Sequence, residues 1–179
     1  MKKAIIFLTD GFEEMEAIVP ADILRRADVE VNLASITGSF EVVGSHGIKV
    51  TADSLFIGNI HDADMLILPG GPGAAKYIGN QTLTDALSGH NTRGGHIAAI
   101  CAAPVTLGKL GLLKDKAATC YPAMTGQLIS AAHKFEAVVT DGNITTAQAA
   151  GASAEFGLAL AEILVGVEEA RKIKSAMFL

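Results

Sequence analysis

Cysteine is scarce in this sequence, since only Cys101 and Cys120 occur among its 179 residues. Two cysteines are too few for a disulfide-stapled scaffold of this size, which favours a reducing compartment. Long apolar runs are absent as well. The run over residues 4–8 ends at Thr9, short of the apolar stretch of a secretory signal, and no segment approaches the ~18–20 residues needed to cross a bilayer. We therefore expect a soluble, cytoplasmic protein with no membrane partner.

Charge is also sparse, and its balance is wrong for a nucleic-acid partner. Lys and Arg number 14 against 19 Asp and Glu, which leaves a net charge of -5, and such a field repels phosphate backbones. Half of the residues are hydrophobic, which excludes an intrinsically disordered chain. The length fits one domain, and no linker, repeat or low-complexity tract interrupts it. We expect a single domain over residues 1–179.

Short apolar runs alternate with amphipathic stretches along the whole chain. This pattern is typical of an α/β fold with a mostly parallel sheet covered by helices on both faces. Strands are predicted at 4–8, 29–34, 65–68, 97–100, 117–119, 137–140 and 144–147, with an antiparallel hairpin over 41–43 and 48–50 at one edge. Helices are predicted from Met15 onward, with a kink or restart at Pro20, and at 74–79, 83–92, after Pro104, 152–165 and 168–175.

Cys101 lies at one of three predicted strand-to-helix junctions, where ligands settle in open parallel sheets. The other two junctions are 10–16 and 69–73. A cysteine between a strand and a helix, with small neighbours, is typical of a nucleophile elbow. The positive end of the helix dipole is expected to lower the pKa of the thiol and make it reactive. The alternative is that Cys101 is simply a small core residue.

The glycine-rich junction, residues 69–73, could aim backbone amides at an oxyanion, or it could be an ordinary turn. It matches neither a phosphate loop nor the dinucleotide fingerprint. Three glutamates at the start of the first helix are Glu13, Glu14 and Glu16. We expect at least two of them to be solvated caps, whereas one could exchange a proton with the cysteine. The helical spacing does not choose among them.

Five histidines are spread along the chain, at positions 46, 61, 90, 96 and 133. None has a Cys or His partner at metal-ligand spacing, so no metal site is expected and most are assigned to the surface or to edges. Tyr121 follows a predicted strand. It is either a half-buried turn aromatic or a hydroxyl donor to a neighbouring site.

Three blocks of residues together resemble the ThiJ/PfpI superfamily, and most closely its DJ branch, which is associated with parkinsonism. The blocks are Gly11–Glu16, Leu66–Gly73 and Ala98–Pro104, and the likeness runs from about Lys3 to Gly166. The resemblance implies a flavodoxin-like three-layer α/β/α sandwich, a homodimer, and chemistry without a cofactor. It assigns Cys101 as nucleophile and Glu16 as a protonated acid/base residue. Gly70, Gly71 and Ala102 become the oxyanion donors.

Members of that family are described as glyoxalases, deglycases, chaperones and oxidative-stress sensors. The resemblance therefore implies a cysteine enzyme that acts on α-oxoaldehydes or their adducts, converting methylglyoxal to lactate. The alternative is a redox sensor or chaperone whose cysteine is oxidised to sulfinate. The sequence departs from the DJ branch at Tyr121, where a histidine is frequent, and at His46 and Gln148, where arginines are found. A fold that has lost its chemistry is a third reading.

Overall fold

The computed structural model describes residues 1–60 and 62–179, so His61 and any expectation about it lie outside the described residues. The strands in this part of the chain are β1 (Lys3–Leu8), β2 (Glu30–Ser35), β3 (Glu41–Val43), β4 (Lys49–Thr51), β5 (Ser54–Leu55), β6 (Met65–Leu68), β7 (His96–Ile100), β8 (Ala117–Ala118), β9 (Ala132–His133), β10 (Val138–Asp141) and β11 (Ile144–Ala147). Seven of them form one sheet in the order β10-β11-β7-β6-β1-β2-β5. All pairs in it are parallel except β10 with β11 at one edge.

The helices are α1 (Glu14–Arg26), α2 (Gln81–Thr92), α3 (Pro104–Lys109), α4 (Ser153–Val165) and α5 (Val167–Ala176), with 3₁₀ segments at Pro72–Gly79, Pro122–Gln127 and Ala150–Ala152. Successive side chains of β1 point to opposite faces of the sheet, as in any β-strand. Ile6 and Leu8 pack in the core beneath α1, α4 and α5. Ile5 and Phe7 pack in the core beneath α2 and α3. The fold is the three-layer α/β/α sandwich that the alternation predicts.

The structure adds detail to three local features. Helix α1 continues through Pro20 without a restart. The predicted antiparallel hairpin is confirmed, since β3 pairs with β4 in a small sheet of its own beside the seven-stranded sheet. The Gly11 N–H donates to the Val43 carbonyl at 2.8 Å, which docks the hairpin on the loop before α1. Strand β8 likewise pairs with β9 outside the main sheet.

The central strands β6, β1 and β7 decide where the site lies. In parallel strands the carboxyl ends meet at one edge of the sheet. The loops that follow β1, β6 and β7 are the three junctions that the sequence singles out, so the sheet order brings them together. Of the helices in the described residues, none has both the length and the apolar character to span a membrane.

Candidate functional site

Cys101 follows β7 directly and adopts a strained backbone conformation. Its φ is 64°, in the left-handed region that residues other than glycine rarely enter. Such a conformation costs of order 1–3 kcal/mol and persists only where the surroundings hold it. The Cys101 N–H donates to the Ala147 carbonyl at 2.9 Å, and the Cys101 carbonyl accepts from the Tyr121 N–H at 2.8 Å. These bonds to two neighbouring segments hold the half-buried cysteine in place.

Glu16 is the glutamate of α1 that reaches this cysteine. Its side chain is fully buried, and its Oε2 accepts the Gly70 N–H at 2.7 Å. The other oxygen, Oε1, is buried without a hydrogen-bond partner among the described residues. Burial raises the pKa of Glu16 to about 7, and the nearby charge of Glu13 adds to the shift. A carboxyl group with this surrounding is able to gain and lose a proton near neutral pH.

Gly70 is the residue that lets the carboxyl and the thiol approach each other. A Cβ placed on Gly70 lies 2.6 Å from Glu16 Oε2 and 2.7 Å from Cys101 Cβ, which is closer than real contacts allow. Because glycine has no side chain, the two groups meet across it. The Gly70 N–H is engaged by Glu16. Gly70 is therefore a spacer and a donor to Glu16, which corrects its expected role as an oxyanion donor.

The pKa of the Cys101 thiol differs from the sequence-based expectation. Burial raises it, the charge of Glu16 and the hydrogen bond to Glu16 raise it further, and the result is about 12. The N–H groups of Gly71 and Ala102 act in the opposite direction. The expectation of a lowered pKa is wrong for the state in which Glu16 is charged, because desolvation and a neighbouring anion both disfavour a thiolate. Moving the proton to Glu16 removes that neighbouring charge and leaves the two N–H donors.

Gly71 and Ala102 hold the two remaining amides that face the sulfur. Gly71 has a φ of 86°, and a Cβ there would lie 2.5 Å from the Glu13 nitrogen. Only glycine fits this position, so the N–H donor at residue 71 depends on glycine. The geometry places both N–H groups where a negative charge on or next to the sulfur would be stabilised.

A cavity of about 480 Å³ opens at Cys101. Its wall includes Gly71, Ala102 and Tyr121, and the Tyr121 side chain is 45% exposed. Glu16 is not part of the wall, so a ligand in the cavity meets the cysteine first. The volume lies within the roughly 300–1,000 Å³ of small-molecule sites.

The other two glutamates of the α1 start behave differently from each other. Glu13 is the N-cap and accepts the Glu16 N–H at 2.9 Å, in line with the expected capping role. Glu14 is buried, and its carboxylate accepts the His46 backbone N–H at 2.7 Å and contacts His46 Nδ1 at 2.8 Å. Burial raises the pKa of Glu14, but hydrogen bonds from His46 and Ser45 outweigh it and lower the pKa to about 2.

Glu14 is thus no solvated cap, because the hairpin folds over it. Possible ligand atoms of Glu13, Glu14 and His46 lie within 4.8 Å of one another, a cluster that sequence spacing did not suggest. His90 lies in the last turn of α2 and is buried, whereas His46, His96 and His133 are exposed or partly exposed.

Comparison with known proteins agrees with this geometry. The sequence profile of the DJ-1/PfpI family matches residues 2–163. The chain is 37% identical to Drosophila melanogaster protein dj-1beta over 180 residues, covering 98% of this chain and 96% of that protein. It is 33% identical to the Danio rerio Parkinson disease protein 7 homolog, with coverage of 99% and 97%.

Solved structures are similar over the whole chain. Drosophila melanogaster DJ-1beta superposes with a TM-score of 0.94 at 35% identity, covering 99% of this chain and 98% of that one. Toxoplasma gondii DJ-1, solved in an oxidized state, gives a TM-score of 0.95 at 34% identity with the same coverage. With the sheet order, the elbow cysteine and these matches in agreement, the chain belongs to the DJ-1/PfpI family, in its DJ-1 branch.

Proposed function

We propose that this protein is a cysteine enzyme that needs no cofactor and converts small α-oxoaldehydes, such as methylglyoxal, to hydroxy acids. The observation that carries the proposal is the fully buried Glu16, with its pKa raised to about 7, in contact with the strained Cys101 at a cavity. A nucleophile beside a carboxyl group that titrates near neutral pH is the arrangement that covalent catalysis with proton transfer requires.

The first step joins the sulfur to the aldehyde. The Cys101 thiol passes its proton to the Glu16 carboxylate, and the thiolate adds to the aldehyde carbon. A C–S bond forms while the carbonyl electron pair moves to oxygen. The Gly71 and Ala102 N–H groups stabilise that oxyanion, and Glu16 returns the proton to it. The product is a neutral hemithioacetal.

The second step moves hydrogen between the two substrate carbons. Glu16 carboxylate removes the hydrogen of the carbon bonded to sulfur, and the electrons pass to the neighbouring carbonyl as an enediol forms. Protonated Glu16 delivers a proton to that neighbouring carbon while the hydroxyl on the sulfur-bearing carbon loses its proton to Glu16, which gives a thioester. Water then adds to the thioester, the C–S bond breaks, and the thiol is restored. The net change is methylglyoxal plus water to lactic acid, with no external oxidant because one carbon is oxidised as the other is reduced.

Lactate formation from methylglyoxal tests this mechanism. We expect Cys101→Ser and Glu16→Gln each to lose activity by about 100-fold or more. Cys120→Ser is the matched control, because Cys120 is a free, fully buried cysteine outside the cavity wall. Circular dichroism checks that all variants are folded. Equal rates in the wild type and both site variants would refute the proposal.

A redox sensor is the second candidate, favoured by the oxidized state in which the Toxoplasma gondii relative was solved. Two equivalents of peroxide convert a thiolate to a sulfinate and release two waters. In this chain the sulfinate oxygens would meet the Gly71 and Ala102 N–H groups and a protonated Glu16.

Intact-mass analysis after mild peroxide treatment distinguishes this candidate. Selective addition of two oxygens at Cys101, slowed in Glu16→Gln, supports a sensor. Slow oxidation shared equally by Cys101 and Cys120 would count against it. Lactate formation at a rate that saturates with methylglyoxal supports the enzyme instead.

We also propose that the chain forms a homodimer, as the family resemblance implies. Four large apolar side chains remain exposed on α1 and on the hairpin docked beside it: Met15, Ile18, Phe40 and Ile48. Several exposed large apolar side chains on neighbouring elements are typical of an interaction surface. Sedimentation analysis of the wild type and of Ile18→Glu tests this pairing, and a monomeric wild type would contradict it.

A further inference from the structure

Three chain segments that begin next to the cysteine form much of the wall of the cavity. The 3₁₀ segment Pro72–Gly79 follows Gly71, whose N–H faces the sulfur. Helix α3 follows Ala102, and the 3₁₀ segment Pro122–Gln127 follows Tyr121, whose N–H binds the Cys101 carbonyl. All three segments contribute to the wall of the same cavity. The cavity therefore extends from the sulfur along these three segments, and we refer to it as the groove.

The side chains that line this groove recur at the period of each segment. In a 3₁₀ helix residues three apart lie on one face, and Ala75 and Ile78 line the groove in this way. On α3 the lining residues Val105 and Lys109 are four apart, one turn of an α-helix. Met124 and Gln127 on the third segment are again three apart. Between the two ends of the groove the wall is mostly apolar, with Ala75, Val105 and Met124 beside the hydroxyl residue Thr106.

Lys109 stands at the outer end of the groove and is its sole charged wall residue among the residues described. Its ammonium group takes part in no ion pair or hydrogen bond with the described residues. Gln127, with an amide that can donate, lies at the same end. An apolar groove that begins at a nucleophile and ends at a free cation is complementary to a ligand with an apolar hydrocarbon chain and an anionic end.

The dimensions of the groove exceed those of methylglyoxal. Ala102 and Lys109 are seven residues apart, which corresponds to roughly 10 Å along a helix. The cavity volume of about 480 Å³ is in the range of sites for drug-sized ligands. A three-carbon aldehyde occupies only the part of the groove next to the sulfur.

We propose that the groove binds α-oxoaldehydes that carry an unbranched apolar chain ending in an anionic group. The aldehyde lies at Cys101, the chain packs against Ala75, Val105 and Met124, and the anion pairs with Lys109. This assignment rests on the proposed function for the chemistry, but the groove itself is testable without turnover.

Alkylation of Cys101 tests the groove directly. Four iodoacetamides are compared: N-methyl, N-hexyl, N-(carboxypentyl), and the primary amide of the last. In each the thiolate displaces iodide from the same carbon, and rates are divided by those of free glutathione. We expect the hexyl reagent to label Cys101 about tenfold faster than the methyl reagent, because several methylenes become buried. The carboxylate is expected to react about threefold faster than its amide, as a partly exposed ion pair allows.

Lys109→Met is expected to abolish the preference for the carboxylate over the amide and to keep the preference for the longer chain. Lys114→Met is the matched control, since Lys114 is an exposed lysine outside the groove wall. Lys109 also lies in the last turn of α3, where a cation stabilises the helix. Loss of that stabilisation would change the rate of Cys101 alkylation by all reagents alike, and the ratio of the carboxylate rate to the amide rate would stay unchanged.

Lactate formation from methylglyoxal is measured on the same preparations. Faster labelling by the longer-chain and carboxylate reagents without lactate formation supports the groove and overturns the proposed enzyme activity. Lactate formation with equal labelling by all reagents overturns the groove and keeps the enzyme. A carboxylate preference that survives in Lys109→Met, or a Cys101 that no reagent labels, also overturns the groove.

Discussion

Replacing Gly70 by alanine is expected to force the Glu16 carboxyl and the cysteine apart. The added Cβ would lie 2.6 Å from Glu16 Oε2, 2.7 Å from Cys101 Cβ and 2.8 Å from the Ile100 carbonyl oxygen. The Glu16 side chain can shift slightly, but the Ile100 carbonyl belongs to β7, so the whole strand end must move. Overpacking of this kind costs about 1–3 kcal/mol, and the rigid contact with the strand places the cost near the upper end.

A loss of about 3 kcal/mol corresponds to a fall in Tm of about 6–12 °C for a chain of this length. Thermal unfolding measures the fall, and methylglyoxal turnover reports the separation of the pair, since a shift of about 1 Å can cost roughly 100-fold in rate. Gly79→Ala is the matched control, because a Cβ there meets nothing within 4 Å. It is expected to change stability by less than about 0.5 kcal/mol. Equal Tm values for the two variants would refute the close approach at Gly70.

Three further predictions concern ionisation and packing. Burial raises the folded-state pKa of Glu16 from 4.5 to about 7. The free energy of unfolding should therefore fall by about 3 kcal/mol as the pH rises between these two pKa values, and then level off. Denaturant titrations of Glu16→Gln should lack this fall. The hydrogen bond to Glu14 raises the pKa of His46. NMR titration should therefore give a lower His46 pKa in Glu14→Gln than in the wild type, whereas an unchanged His46 pKa would contradict the pairing. A Cβ on Gly157 would lie 2.8 Å from a methyl of α1, so Gly157→Ala should lower stability by about 1–2 kcal/mol in chemical denaturation, unlike Gly151→Ala, which meets open space.

The sequence predicted the hydrophobic layers well, because strand and helix periods are local properties. The continuous apolar run of β1 indicated a strand buried on both faces, and it is a central strand of the sheet. The short strands β5 and β9, with two residues each, carry too little pattern to be recognised. Each is recognised only through its pairing, β5 with the six-residue strand β2 and β9 with the two-residue strand β8.

The candidate site was predictable in its parts and not in its contacts. The three junctions were evident from the alternation of strands and helices, and Cys101 from its place between β7 and α3. Within α1, however, Glu13, Glu14 and Glu16 all lie in one turn, and local spacing treats them alike. Their different surroundings come from segments far along the chain, the hairpin over Glu14 and the Gly70 loop against Glu16.

Ionisation shows the same division between local and tertiary causes. The sequence by itself determined the order of the elements, the apolar layers and the position of the cysteine at a sharp bend. From the sequence, a lowered pKa of the Cys101 thiol was expected. The positive end of the dipole of the following helix is the sole electrostatic influence on the thiol that the local sequence reveals. Only the tertiary structure decided that the thiol is half-buried beside a fully buried carboxyl group, since desolvation and contact between distant residues depend on how the chain packs.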